Sequence, residues 1–145
     1  MENARIDVGS EQEMEALGTE LGQDFLREER DGALVIQLVG DLGAGKTTLT
    51  RGIARGLGIA APITSPTFQV HKEYTSKDGK TELHHFDFYR LQNLGVMKSE
   101  LEELLADKKN VIVIEWGGIL GDLAKNAKIV KIEKITDEGR VLLLE

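Results

Sequence analysis

The stretch Gly40-Asp41-Leu42-Gly43-Ala44-Gly45-Lys46-Thr47 matches the phosphate-binding loop pattern G-x-x-x-x-G-K-[ST] at every fixed position. Its glycines let the backbone adopt positive φ and come close to a ligand. The N–H groups of such a loop form an anion cradle at the N-terminus of the following helix. Lys46 would reach the β- and γ-phosphates, and the hydroxyl of Thr47 would bind Mg²⁺. The stretch therefore predicts a nucleoside triphosphate site.

The segments on either side of this loop supply the context that the motif requires. Residues 33–39 form an apolar run that is typical of a buried strand. Residues 47–57 carry apolar side chains on one helical face: Leu49, Ile53, Ala54 and Leu57. Strand, glycine-rich loop and helix in this order favour phosphate binding over a turn that only connects two elements.

Composition limits the class of protein. The chain has 145 residues, 41% hydrophobic and 30% charged, which predicts one globular domain spanning residues 1–145. It has no cysteine, so disulfides and thiolate metal sites are excluded. No apolar run is long enough to cross a bilayer, and the first residues lack the pattern of a signal peptide. We therefore expect a cytoplasmic protein without a membrane partner.

The charge balance bears on nucleic acid binding. The formal net charge is −7, and the basic residues are dispersed apart from short clusters such as Lys108-Lys109. Proteins that grip nucleic acid usually present a basic face, which displaces counterions from the phosphates. Unless folding gathers the basic residues into a local patch, the chain alone is not expected to bind RNA strongly.

Helix signals occur at three places. The capping-box motif S-x-x-E at residues 10–13 predicts a helix to about Glu29. The inner face of this helix is predicted to carry Met14, Leu17, Leu21 and Phe25. The same motif at residues 99–102 predicts a short helix to about Ala106. Gly58 is placed to end the helix that follows the phosphate-binding loop.

Strand candidates occupy much of the remaining sequence. Segments 69–75 and 81–89 flank a loop with an Asp-Gly turn signal and predict a hairpin. Segments 129–135 and Arg140–Leu144 predict a second hairpin, and Asn110–Glu115 predicts a buried strand. The fold class is therefore α/β: a P-loop NTPase-like domain with flanking helices around a mixed sheet, parallel in the centre and antiparallel toward the edges.

Two carboxylates are candidates for work beside the phosphates. A triphosphate site usually holds Mg²⁺ with an acidic group at the end of a neighbouring buried strand. Glu115 follows four β-branched residues and fits this role, opposite Thr47. Asp87 shares one strand face with Leu83, His85 and Tyr89. Asp87 either orients the attacking water, supports the metal ligands, or pairs with Arg90 or a nearby hydroxyl.

Two other features are open to a plainer interpretation. The segment Thr64-Ser65-Pro66-Thr67 supplies three hydroxyls on a rigid turn. Such segments can order around a γ-phosphate, but from the residues alone an ordinary turn is the simpler interpretation. The three histidines lack metal-binding spacing with other ligands and are interpreted as structural or surface residues: His71, His84 and His85.

Four motifs together resemble one family, the bacterial TsaE (YjeE-type) ATPases of tRNA threonylcarbamoyladenosine synthesis. The motifs are the phosphate-binding loop extended through Thr48, then Ser65-Pro66-Thr67-Phe68, then residues 85–91, then Ile114-Glu115-Trp116. They occur in the family's order and at similar spacing, and the resemblance covers most of the chain. One departure is Gly117-Gly118, where the family usually has a proline after the tryptophan.

The resemblance implies a Mg²⁺-dependent ATP hydrolase, slow or activated by partners. It implies ATP and Mg²⁺ as cofactors and the TsaD and TsaB proteins as partners, so that contact with tRNA is indirect. The implied catalytic residues are Lys46, Asp87 and Glu115, and the implied metal ligands are Thr47 and Glu115. The implied nucleotide-binding residues are Glu11, Asp41, Gly43, Ala44, Gly45, Lys46, Thr47, Thr48 and Arg140. The segment at 65–68 resembles the family's switch-like loop.

Three other classes of protein that contain a phosphate-binding loop are alternatives to the ATP hydrolase. A small-molecule kinase shares the phosphate-binding loop, but no arginine-rich lid segment is evident in the sequence. A GTPase is disfavoured because neither N-K-x-D nor D-x-x-G occurs. A module that uses nucleotide only to set its shape, without hydrolysis, is the third alternative.

Overall fold

The computed structural model describes residues 3–41, 43–64, 70–89 and 91–145, and these contain seven strands, three α-helices and one 3₁₀ helix. Their order is β1 (Ala4–Val8), α1 (Glu11–Arg27), β2 (Leu34–Val39), α2 (Lys46–Gly56), β3 (His71–Thr75), β4 (Glu82–Asp87), α3 (Met97–Leu105), β5 (Asn110–Glu115), the 3₁₀ helix (Gly117–Ala124), β6 (Lys128–Lys134) and β7 (Arg140–Leu144). No helix of these segments is long and apolar enough to cross a membrane.

The seven strands form one sheet in the order β1-β7-β6-β2-β5-β4-β3. The four central strands, β6, β2, β5 and β4, are parallel, and antiparallel pairs occupy both edges. The predicted mixed sheet is therefore confirmed. The edge strand β1 was not anticipated, because most of its side chains are exposed or half-buried and its partner β7 lies at the other end of the sequence.

The sheet has a hydrophobic core on each face. Helices α1 and α2 cover one face, where their apolar side chains pack on Ile36, Val113 and Leu83. Helix α3 and the 3₁₀ helix cover the other face, which carries Phe86 and Ile114. Because both faces are covered, all six residues of β5 are buried, and four apolar residues run between its first residue, Asn110, and its final carboxylate.

Helices α1 and α2 touch backbone to backbone through four glycines. A Cβ added to Gly18 would lie 2.9 Å from the Cα of Gly52, and one added to Gly22 would lie 2.9 Å from the Cα of Gly56. Moving four residues toward the C-terminus of α1, from Gly18 to Gly22, moves the contact four residues toward the C-terminus of α2, so the helices run parallel. Their N-termini therefore lie side by side, which brings the start of α1 to the phosphate-binding loop.

The helix boundaries confirm one capping box and correct the other. The Ser10 hydroxyl accepts a hydrogen bond from the Glu13 N–H at 3.1 Å, and α1 begins directly after it. The prediction of a helix start at Ser99 is wrong, because α3 begins at Met97 with no side-chain cap. A turn at Gly95, with φ of 55°, starts the helix earlier, so the serine lies inside its first turn.

Candidate nucleotide site

The phosphate-binding loop connects β2 to α2 in left-handed backbone conformations. Gly43 has φ of 81° and Gly45 has φ of 110°, a region that favours glycine. Gly45 is the N-cap of α2, and no side chain there accepts from the first turn. The N–H groups at the start of a helix need an acceptor, and an anion can supply it. Leu42 lies outside the described residues.

Lys46 is held over this loop. Its side chain is buried, with the residue only 6% exposed. The ammonium Nζ donates to the carbonyl of Gly40 at 2.5 Å and lies 4.9 Å from the centre of the Trp116 ring. Among the residues that the structure describes, its partners are thus backbone carbonyls and an aromatic face rather than a carboxylate. A buried cation with neutral partners is suited to an anionic ligand, since the phosphates would supply the missing countercharge.

The two candidate carboxylates lie side by side at the carboxyl ends of β5 and β4. Glu115 is the register partner of Leu38 in β2 and of Asp87 in β4, and all three strands are parallel. Registered residues of neighbouring strands point to the same face and lie about 5 Å apart. The fold therefore places both carboxylates beside the end of β2, where the phosphate-binding loop begins.

Glu115 has a partner that the sequence interpretation missed. Its residue is 4% exposed, and its Oε2 lies 2.6 Å from Nε2 of His85, which is fully buried. The other ring nitrogen of His85 has no hydrogen-bond partner among the described residues. The interpretation of His85 as an ordinary structural residue is therefore too narrow, because the ring orients a carboxylate at the site. The available signal was its shared strand face with Asp87.

Asp87 is half-buried at the end of β4. One carboxylate oxygen accepts from the backbone N–H of Tyr89 at 3.0 Å, which fixes the side chain locally. The alternative pairing with Arg90 lies outside the described residues. The position beside Glu115 is compatible with either proposed role, water orientation or support of the metal ligands.

Glu11 and Arg140 both lie against the loop region. The hydroxyl of Thr48 donates to Glu11 at 3.4 Å, a contact that follows from the parallel packing of α1 on α2. The guanidinium of Arg140 donates to the carbonyls of Ala44 at 3.0 Å and Gly43 at 3.3 Å. Arg140 thus braces the loop from the β6–β7 turn, and whether it also contacts nucleotide stays a prediction.

The donor set suits ATP and Mg²⁺. Magnesium prefers oxygen ligands, and the loop region offers the Thr47 hydroxyl together with the Glu115 carboxylate. Phosphate oxygens would accept from the N–H groups at the start of α2. Asp41 and Gly43 are exposed to solvent, whereas Ala44 is buried in the hydrophobic core beneath the loop. The switch-like segment 65–68 lies outside the described residues.

Trp116 is held in an unusual conformation directly after Glu115. Its φ of 59° and ψ of 47° are left-handed, and it is the non-glycine residue with positive φ among those described. Its ring packs 4.9 Å from that of Tyr89. A Cβ on the following Gly117 would lie 3.1 Å from the side chain of Gln37, which would have to shift by a few tenths of an ångström to admit a larger residue.

The other two histidines lie on the opposite face of the sheet, His71 on β3 and His84 on β4. Nε2 of His71 is 3.0 Å from Nδ1 of His84, so the two rings contact each other across the β3–β4 hairpin. Burial, and then the neighbouring His84, lower the pKa of His71 from its usual value, against smaller effects of Glu73 and Glu100. The spacing of these residues in the sequence did not reveal this contact, because it depends on hairpin register.

The site architecture defines the class of protein. A parallel strand leads into a glycine-rich loop at a helix N-terminus, and acidic side chains end the neighbouring strands. This arrangement is that of the P-loop proteins of the α/β class.

Comparison with known proteins then identifies the family. The family model of TsaE, threonylcarbamoyl adenosine biosynthesis protein, matches residues 8–142. The chain belongs to the TsaE family, which takes part in tRNA threonylcarbamoyladenosine biosynthesis.

Individual relatives agree with this assignment. A tRNA threonylcarbamoyladenosine biosynthesis protein TsaE from Streptomyces coelicolor is 41% identical over 79% of this chain and 78% of its own length. A Nostoc protein with the same name is 45% identical over 63% of this chain, and the match spans 57% of that relative. The crystal structure of Bacillus subtilis YdiB has a TM-score of 0.75 at 26% identity, covering 99% of this chain and 84% of that one.

Proposed function

We propose that the chain is a Mg²⁺-dependent ATPase that supports tRNA threonylcarbamoyladenosine modification together with TsaD and TsaB. The observation that carries the proposal is the position of Lys46. Its buried ammonium lies over the phosphate-binding loop, beside the sheet edge to which Glu115 and Asp87 belong. Family membership supports the same pathway.

The site residues of the phosphate-binding loop and of the strand ends beside it have distinct roles in this proposal. Lys46 leaves the Gly40 carbonyl and binds the β- and γ-phosphates. Thr47 and Glu115 hold Mg²⁺, which supplies charge neutralisation on the phosphates. His85 keeps the Glu115 carboxylate in place through their 2.6 Å contact. Asp87 either orients the attacking water or supports the metal ligands.

Charge supports an indirect link to tRNA. With a net charge of −7, the chain has few clustered cations with which to displace counterions from RNA. We therefore assign tRNA contact to the TsaD–TsaB complex and place the chain in the cytoplasm with it. The segment Thr64–Phe68 would order around the γ-phosphate and change the docking surface, as in other order–disorder switches.

Phosphate release from ATP tests the ATPase proposal. The purified chain is assayed alone and with TsaD and TsaB, with and without Mg²⁺. We expect slow Mg²⁺-dependent release that rises when the partners are added. Absence of release in every condition, with nucleotide still bound, would favour a module that uses nucleotide only for its shape.

A Glu115→Gln variant tests the metal assignment. The change removes charge with little change of shape, so hydrolysis should fall strongly while Mg²⁺-free nucleotide binding changes less. Normal hydrolysis over a Mg²⁺ titration would exclude Glu115 as a ligand, and Asp87 would take that role.

Isothermal titration with TsaD–TsaB tests the switch. ATP should alter the affinity for the complex relative to ADP, and the complex should alter ATP affinity by the same factor. Identical affinities with ATP, ADP and no nucleotide would exclude the switch. Tight binding of tRNA by the isolated chain would contradict the indirect link.

A further inference from the structure

A second cluster of potential ligands lies on the β3–β4 hairpin, on the α3 face of the sheet. It consists of His71, Glu73 and His84. Glu73 and His84 are register partners across the hairpin, and His71 lies two residues before Glu73 on the same strand face. His85, which serves the candidate nucleotide site, points to the other face of β4. The hairpin cluster is thus separated from that site by the thickness of the sheet.

The spacing of the three ligand atoms fits a single metal ion. His71 Nε2 lies 3.0 Å from His84 Nδ1, and Glu73 Oε1 lies 3.8 Å from each of these nitrogens. Zinc binds nitrogen and oxygen at about 2.0–2.2 Å, which places tetrahedral ligand atoms about 3.3 Å from one another. The observed separations bracket this value, so small side-chain movements would complete the coordination.

The remaining ring nitrogens are already engaged by oxygen acceptors. Nδ1 of His71 lies 3.4 Å from a carboxylate oxygen of Glu100 on α3. Nε2 of His84 lies 3.2 Å from the amide oxygen of Asn110 and 3.3 Å from Glu82. Metal-binding histidines almost always donate their other ring N–H to such an acceptor. The outer contacts therefore match those of a metal site.

These outer contacts favour the tautomers in which Nδ1 of His71 and Nε2 of His84 carry the protons. If Nδ1 of His71 and Nε2 of His84 carry the protons, the two facing nitrogens present lone pairs to each other. Their 3.0 Å separation is then repulsive unless a cation lies between them. Stacking on Phe86, with ring centroids 4.1 Å apart, holds the His71 ring in place. A metal ion would remove the repulsion, as would a shared proton.

We propose that His71, Glu73 and His84 form a binding site for Zn²⁺ that is independent of the nucleotide site. Two imidazoles and a carboxylate are a donor set typical of zinc. The Glu73 side chain is 64% exposed, which leaves the ion accessible from solvent and a fourth position for water. By joining β3 to β4, the ion stabilises the edge hairpin of the sheet.

Zinc titration of the full, chelator-treated chain tests the site. We expect one Zn²⁺ per chain by calorimetry, together with a rise in melting temperature. Glu73→Gln and His71→Gln should weaken binding by about tenfold or more. Glu20→Gln makes the same charge change on α1, across the sheet, and should bind zinc as the parent chain does. Equal affinity in all of these variants, or no zinc binding by the parent chain, would overturn the proposal.

Two further measurements separate zinc at the hairpin from the alternatives. Saturation with Mg²⁺ and ADP should leave zinc affinity unchanged, and competition would instead place the zinc at the phosphate-binding loop. The imidazole ¹⁵N signals of His71 and His84 should shift on addition of zinc. If they stay unchanged at saturating zinc, the two rings share a proton only, and the metal site is wrong.

Discussion

His84 and His85 are neighbours in the chain, yet they belong to opposite faces of β4 and have different partners. His85 lies on the α1–α2 face and contacts the Glu115 carboxylate at 2.6 Å. His84 lies on the α3 face and contacts the His71 ring at 3.0 Å. Both are buried. The difference teaches that residue type alone does not determine the chemistry of a histidine, which depends on what the adjacent strand places opposite it.

The two contacts also differ in how the fold creates them. His84 meets His71 through a hairpin, so the contact needs only local register between β3 and β4. His85 meets Glu115 through parallel pairing of β4 with β5, which requires the α3 crossover. We therefore expect changes on one face of β4 to leave the chemistry of the other face intact.

The largest effect is expected from Lys46→Ala. The change removes the fixed cation from the loop, so ATP hydrolysis should fall by about 100-fold or more, and ATP binding should weaken. Zinc affinity at His71 and His84 should stay the same, because that cluster lies across the sheet. Phosphate release and zinc calorimetry on the same preparation check both points. Near-normal hydrolysis would contradict the site assignment.

Gly52→Ala should disturb the packing of α1 on α2, the two helices that cover one face of the sheet. The added methyl would lie 2.9 Å from the Cα of Gly18, and overpacking of this kind costs about 1–3 kcal/mol. Gly118→Ala is the matched control, because a Cβ there meets nothing within 4 Å. Denaturant unfolding of both variants measures the difference. Equal stability would mean that the two helices separate at little cost.

His85→Gln compared with His84→Gln sharpens the contrast between the two faces. Loss of the His85 ring leaves the Glu115 carboxylate buried without its partner, so the Mg²⁺ concentration for half-maximal hydrolysis should rise about tenfold. His84→Gln should leave that concentration unchanged and weaken zinc binding. Mg²⁺ titrations of both variants decide this, and an equal response in the two would show that the faces are coupled.

The smallest effect is expected from Asp78→Asn in the turn of the β3–β4 hairpin. The Lys80 N–H and then the Ser76 hydroxyl lower the pKa of Asp78 from its usual value. A carboxylate with a lowered pKa stabilises the fold at neutral pH, and this contribution is lost as pH falls through its folded pKa. Denaturant unfolding should therefore show that the variant has a slightly lower free energy of unfolding than the parent chain at pH 7. This difference should shrink below about pH 4. A loss independent of pH would exclude the charge as its cause.

Features with a local physical cause could be predicted from the sequence. Apolar periodicity placed β2, α2 and β5 almost to the residue, and the hydroxyl of Ser10 set the start of α1. The glycines and lysine of the phosphate-binding loop indicated the class of site because their backbone and charge requirements are local. Glu115 followed from its place at the end of a buried strand.

Contacts between distant segments were decided by the tertiary structure alone. Glu115 meets His85 only because β5 pairs in register with β4, and no local pattern encodes that register. Likewise, the glycine contacts between α1 and α2 and the bracing of the loop by Arg140 join segments whose spacing in the chain is uninformative. The sequence alone thus determined the elements and the loop chemistry, whereas packing decided which side chains meet, because strand register and helix approach depend on the whole core.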